Sequence, residues 1–187
     1  FFFVMIEQGI MTWLPRFNEK VFQFSEKLSV QMASLLAIAQ AAGRFIAGWL
    51  SKKISWAVIV VSCALLAVLL LLAVLPKLSA ADTVERFSSL TDVPLTGFML
   101  PLIGLFIAPI YPLLNSTVLS HLPKNLHAPM SGLIIIFSAL GGTLGSRIVG
   151  ILFGNIGGVN AFYFLIIPIL LLITSVLIIR RITKEKT

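Results

Sequence analysis

Apolar residues fall along this chain in six long runs, each ended by a short cluster of charged or polar residues. The runs cover 1–17, 28–50, 55–75, 95–119, 128–154 and 159–179. A bilayer core about 30 Å thick is crossed by about 20 apolar residues in a helix, and within lipid each backbone polar group must be satisfied inside the segment. The pattern therefore predicts an all-α membrane protein with six transmembrane helices. The first run is short for a span and the chain opens on Phe, which leads us to expect the back portion of a longer protein.

The runs are not independent of one another. The second contains Gly43-Arg44-Phe45-Ile46-Ala47-Gly48-Trp49-Leu50, and the fifth contains Gly145-Ser146-Arg147-Ile148-Val149-Gly150-Ile151-Leu152. Gly, Ile, Gly and Leu match at one offset, 145 − 43 = 102. The same offset carries the first run onto the fourth and the third onto the sixth. Three helices followed by three more enter the membrane from opposite sides, so the expected architecture is a 3+3 inverted repeat, a signature of secondary transporters. Runs three and six are almost wholly aliphatic and are expected to face lipid. Runs one, two, four and five hold the polar residues, glycines and prolines and are expected to face one another or a cavity.

Composition supports lipid as the solvent. Hydrophobic residues make up 58% and charged residues 11%, the mean hydropathy is +1.05, and a soluble domain carries about 25% charged residues. The net charge of +7 does not point to nucleic acid, because the basic residues sit at span ends and not in a stripe. Lys52, Lys53, Lys124, Arg180, Arg181, Lys184 and Lys186 would lie on one side of the membrane, accompanied by Glu185. Arg16, Lys20, Lys27, Lys77 and Arg86 would lie on the other, offset by Glu19, Glu26, Asp82, Glu85 and Asp92. Lys and Arg collect on the cytoplasmic side, so seven against five places both ends of the chain there. The first run lacks the basic start and small-residue cleavage site of a signal peptide. Cys63 is the single cysteine and forms neither an intrachain disulfide nor a cysteine metal site. His121 and His127 flank Lys124 with no third ligand nearby, so no metal and no cofactor is expected.

The segment 43–53, G-R-F-I-A-G-W-L-S-K-K, resembles the signature loop between the second and third helices of a half of a major facilitator superfamily transporter: glycine, a variable residue, leucine, then a basic pair. Ser51 stands where that loop carries an acid. The resemblance covers the whole chain and implies the carboxy-terminal six-helix half of a twelve-helix fold, with an amino-terminal half as partner. Ile6-Glu7-Gln8-Gly9 followed by Trp13-Leu14-Pro15, and the stretch from Gly104 through Pro109 and Tyr111 to Pro112, are similar to fucose-permease-like sugar porters. That similarity implies a sugar as solute, a proton as coupling ion and a bacterial cytoplasmic (inner) membrane as location.

Away from the run ends, three charged residues lie inside the runs: Glu7, Arg44 and Arg147. A charge at the bilayer centre costs about 2.5–3.5 kcal/mol on insertion scales, so each needs a partner or water. Glu7 falls about 15 Å below the outer end of its helix, near the midplane. It is read as a cavity carboxylate for sugar hydroxyls or a proton, or else as a structural carboxylate between helices. Arg147 is expected either to pair with Glu7 or to snorkel to the outer surface. Arg44, near the cytoplasmic end of its run, joins Lys52 and Lys53 as a gating group. Pro101, Pro109 and Pro112 should bend or break the fourth span. Tyr111 and Asn115 share a helix face and, with Gln8, Gln40, Ser138 and Trp13, make the expected solute cavity; an amide and a phenol can each donate and accept to a polyhydroxylated ligand. Gly48, Gly141, Gly145 and Gly150 are read as close-packing positions.

The reading that results is a secondary active transporter working by alternating access, importing sugar by proton symport. A drug or metabolite exporter of the same superfamily is the nearest rival. A six-helix assembly protein or receptor comes next, opposed by the proline-broken span and by Glu7. No paired carboxylates, Ser-His set or metal cluster supports an enzyme.

Overall fold

The computed structural model describes residues 1–79, 87 and 89–184; Asp82, Glu85, Arg86, Glu185 and Lys186 of the charge argument lie outside the described residues. The architecture is all-helical: α1 (Phe2–Lys20), α2 (Glu26–Leu50), α3 (Trp56–Ser79), α4 (Leu95–Met99), α5 (Ile103–Ile107), α6 (Ile110–Ser120), α7 (His127–Ile156), α8 (Gly158–Tyr163) and α9 (Ile166–Lys184). Among the described residues, strand geometry is limited to one isolated bridge, Phe24 with Phe87. Ser25 opens α2 by accepting the Leu28 N–H at 3.3 Å, and Gly157 (φ 83°) makes the turn between α7 and α8.

The fourth run is broken, as its prolines predict. Pro101 and Pro109 have no N–H to give to Gly97 and Leu105, so the helix stops at Met99 and again at Ile107. The first break is bridged by tight i→i+3 bonds, including Leu102 N–H to Met99 O at 3.1 Å and Leu105 N–H to Leu102 O at 2.9 Å. The sixth run was expected as one helix and is two. Pro168 cannot donate to Phe164 O, which instead accepts from Ile167 N–H at 3.0 Å.

Five stretches among the described residues are long and apolar enough to cross a membrane: Glu26–Leu50, Trp56–Leu78, Leu95–Ser120, Lys124–Ile156 and Gly158–Ile182. With Glu7, Gln8 and Arg16 in its sequence, α1 is less apolar, and it is correspondingly enclosed. It packs against α7, α2, α9 and α8 and buries Phe3, Ile6, Ile10, Leu14 and Phe17.

Glycine contacts fix the directions of the helices. A Cβ on Gly141 would meet Phe1, one on Gly145 would meet Met5, and one on Gly150 would meet Trp13. The contacts advance in step along α1 and α7, so the two run parallel. Likewise Gly97 lies beside Phe24, Gly104 beside Leu36 and Gln40, and Leu105 beside Gly43, so α2 runs parallel to the broken α4–α6 stretch.

Two apolar helices complete the bundle. Ala57, Val60, Ala64, Ala67, Leu71 and Val74 form the buried stripe of α3, and Leu165, Ile169, Leu172 and Val176 are buried along and just before α9; the two helices pack on each other. Their other faces stay exposed, with Leu65 and Leu69 on α3 and Leu170 and Ile178 on α9. At the far end of α1, Phe17 lies 4.3 Å from Phe162 and Phe22 stacks on Phe24 at 4.9 Å, measured between ring centroids.

Candidate functional site

The site begins with the glycines of α7. Gly141 and Gly145 bring its backbone against that of α1, with Gly145 pressed on the Met5 carbonyl. Gly142, turned about 100° from Gly141, leaves room for Gln8: a Cβ there would stand 3.0 Å from Gln8 Cγ. On the other side of α1, Tyr111 of α6 packs its ring 5.5 Å from Phe3. A groove remains between the three helices. One section, about 560 Å³, is lined by Gln8 and Thr12 of α1, Tyr111 of α6, and Ser138, Thr143 and Ser146 of α7. A second section, about 310 Å³, shares Val4, Tyr111 and Ser138 with the first and adds Asn115 among Phe1, Phe3 and Phe137.

Four of the expected cavity residues, Gln8, Tyr111, Asn115 and Ser138, are thus brought together. Their amides and hydroxyls both donate and accept. No lining residue of either section carries a charged side chain. Thr12, Thr143 and Ser146 were missed. For two of them the signal was the four-residue step: Thr12 is four on from Gln8 and Ser146 is eight on from Ser138, which places each on a shared helix face; Thr143 does not follow that step.

The remaining expected residues fall elsewhere. Glu7 does not meet Arg147; its carboxylate pairs with Arg44 of α2, with Arg44 Nη2 3.7 Å from Oε1. Arg147 is level with Glu7, because Gly145 beside Met5 and Val149 beside Gly9 bracket residues 147 and 7. Of the two readings of Arg147, the pairing with Glu7 fails on facing. Positions 145 and 149 point at α1, and Arg147, two residues from each, lies on the opposite side of α7 and is exposed. Glu7 is 15% exposed, whereas Arg44 is 54% exposed, so the pair sits at the margin of the helix contact.

Gln40, one turn before Arg44, is buried against Gly104 and Leu36, and its Nε2 has no hydrogen-bond partner among the described residues. It lines neither section of the groove. Trp13 is not a groove residue either: its Nε1 donates to the Ser146 carbonyl at 2.8 Å, and its ring stacks on Phe153 at 5.6 Å and covers Gly150. Of the four packing glycines, Gly141, Gly145 and Gly150 are as expected and Gly48 is not; nothing lies within 4 Å of a Cβ built there. Gly43 takes that role on α2, seated on the Leu105 carbonyl, the one that Pro109 leaves without its helical donor. Lys52 and Lys53 are exposed in the α2–α3 turn, with Lys53 Nζ 4.7 Å from the Trp49 ring centroid.

No curated protein and no solved structure matches the chain. A family comparison matches residues 1–146 to the Major Facilitator Superfamily, a span that takes in α1 through α6, most of α7 and every residue of the groove. The chain is an integral membrane protein and belongs to the Major Facilitator Superfamily of transporters.

Proposed function

We propose that this chain is the carboxy-terminal six-helix half of a secondary active transporter, folded as a 3+3 inverted repeat, that imports a sugar by alternating access and proton symport. The observation that carries the reading is the uncharged groove of Gln8, Thr12, Tyr111, Asn115, Ser138, Thr143 and Ser146. A sugar offers a ring of hydroxyls, and each of these side chains matches a hydroxyl as donor or acceptor. The repeat is supported by exchanged partners. The first helix of one triplet packs on the second of the other (α1 on α7), the second on the first (α2 on α5), and the third on the third (α3 on α9). Gly43 and Gly145, 102 residues apart, each press on the backbone of the opposite triplet's first helix.

Glu7 takes the coupling proton in this reading, because protonation releases Arg44 from the α1–α2 contact, and Arg44, Lys52 and Lys53 gate the cytoplasmic end. The amino-terminal half covers the apolar faces that α2 and α7 leave open, where Phe45 is 82% and Ile135 64% exposed. The location is the bacterial cytoplasmic membrane with both chain ends in the cytoplasm.

The test is transport in proteoliposomes holding the full-length protein, with radiolabelled hexoses and pentoses and an inward proton gradient. A neutral sugar should accumulate above its external concentration and leak out when a protonophore is added. Failure of every sugar, together with movement of an amphipathic cation, would establish an exporter instead.

A further inference from the structure

A second cavity lies against another face of α2. It occupies the cleft between α2, α3 and α5, measures about 210 Å³, and is lined by Gly43, Ala47, Leu50, Ile59, Cys63 and Phe106 among others. Its walls are almost wholly apolar, and the lining residues Ile46, Val58 and Leu66 are exposed on the outer surface of the bundle. The cleft therefore opens sideways toward lipid. Its volume corresponds to roughly seven methylene-sized groups, taking each as about the 30 Å³ of a water, which is a stretch of one acyl chain.

Apolar walls alone do not select a ligand in a bilayer, since a lipid tail is as well solvated by other tails. Selection must come from the polar end. Two lining residues, Leu50 and Ile54, flank the turn that carries Lys52 and Lys53. Both lysines are exposed, and residues 43–56 contain no acid. Trp49 steadies Lys53 through the contact of ammonium and ring, and an indole at this position suits the headgroup level. A basic pair thus stands at the mouth of an apolar slot.

We propose that this cleft seats one acyl chain of an anionic phospholipid, with the headgroup phosphate held by Lys52 and Lys53. A lipid so placed leans on Gly43, Leu105 and Pro109, the contact at which α2 meets the second break of the proline-rich span.

Cys63 serves as the reporter, being half-buried in the cleft wall. The full-length protein in detergent micelles is alkylated with N-ethylmaleimide while phosphatidylglycerol, or phosphatidylcholine of the same chains, is titrated in. Phosphatidylglycerol should slow alkylation of Cys63 at roughly 25-fold lower concentration, from about fivefold per lysine. Lys52→Ala with Lys53→Ala should remove that preference without shifting the melting temperature, since both side chains are exposed. Val58→Trp, which narrows the slot, should reduce protection by both lipids. Free glycerol phosphate should leave Cys63 reactive. Equal protection by the two lipids, or an undiminished preference in the double lysine variant, overturns the headgroup seat. Absence of protection by either lipid overturns the chain seat.

Discussion

Arg44 Nη2 stands 3.7 Å from Glu7 Oε1, joining α1 to α2. The separation is that of an ion pair, without a hydrogen bond of ordinary length. Its two ends differ in exposure, 54% for Arg44 and 15% for Glu7. A carboxylate enclosed to that degree depends on its cation more than the cation depends on it. Arg44 has a second option, because its long stem reaches the rim of the bundle.

The asymmetry makes a directional prediction. Arg44→Met strands the Glu7 carboxylate and should lower the melting temperature of the detergent-solubilised protein more than Glu7→Gln does. The double variant should recover part of the loss, since breaking a pair from one side costs more than removing both partners. An interaction of roughly 0.5–1 kcal/mol is expected, at the low end for contacting residues because Arg44 is half in solvent. Arg147→Met serves as the control and should be additive with Glu7→Gln. Coupling to Arg147 of the same size as to Arg44 would contradict the pairing.

Gly145 and Gly48 separate helix packing from mere helix content. A methyl on Gly145 falls on the Met5 carbonyl of α1, whereas one on Gly48 meets nothing within 4 Å. Gly145→Ala should destabilise by about 1–3 kcal/mol, the usual cost of overpacking against rigid neighbours. Gly48→Ala should be neutral, or stabilising by up to about 1 kcal/mol through better helix propensity. Thermal unfolding of the two single variants measures the difference, and equal losses would mean that the α1–α7 contact is not tight.

These contrasts show what was legible in the sequence. Hydropathy placed the five long apolar stretches within a few residues, because length and apolarity are local properties, whereas the first run, with Glu7, Gln8 and Arg16, is not apolar enough to count among them. The breaks at Pro101 and Pro109 were also readable, since a missing N–H acts within one turn. The break before Pro168 follows the same rule, in a run that is otherwise continuously aliphatic. The set Gln8, Tyr111, Asn115 and Ser138 could be assembled from residue chemistry and helix faces. What failed were the choices of partner. The depth of Arg147 follows from counting residues, but its azimuth depends on which side of α7 meets α1. That is decided by Gly141 and Gly145, two of several glycines in the span. Trp13 failed in the same way, drawn onto Phe153 and the Ser146 carbonyl by a neighbour 133 positions away.

For the groove, Tyr111→Phe and Ser138→Leu should act differently. The first removes one hydroxyl and keeps the ring on Phe3, so KM for the transported solute should rise about 2- to 10-fold with little change in maximal rate, the value of one neutral hydrogen bond. The second places a branched side chain where both sections of the groove meet and should abolish uptake while the protein still reaches the membrane. Unchanged kinetics in both variants would remove the groove as the solute path.

Orientation can be tested at the two ends of one helix hairpin. Lys52 lies in the exposed turn after α2, and Lys20 lies at the end of α1 before α2 begins. At that opposite end Glu19 is held between Lys20 at 3.2 Å and Arg16 at 3.3 Å, and the Lys20 contact first, then Arg16, keeps its carboxyl below the usual range. Each acid there offsets a cation, so the local charge is small, whereas Lys52 and Lys53 have no acid nearby in sequence. The positive-inside rule is the basis for proposing that the 52–53 turn faces the cytoplasm. With Cys63→Ala as background, Lys52→Cys should react in intact cells with a membrane-permeant maleimide and resist an impermeant one, while Lys20→Cys should react with both. Strong labelling of position 52 by the impermeant reagent, with position 20 protected, would turn the whole bundle over in the membrane and place the α1–α2 end in the cytoplasm.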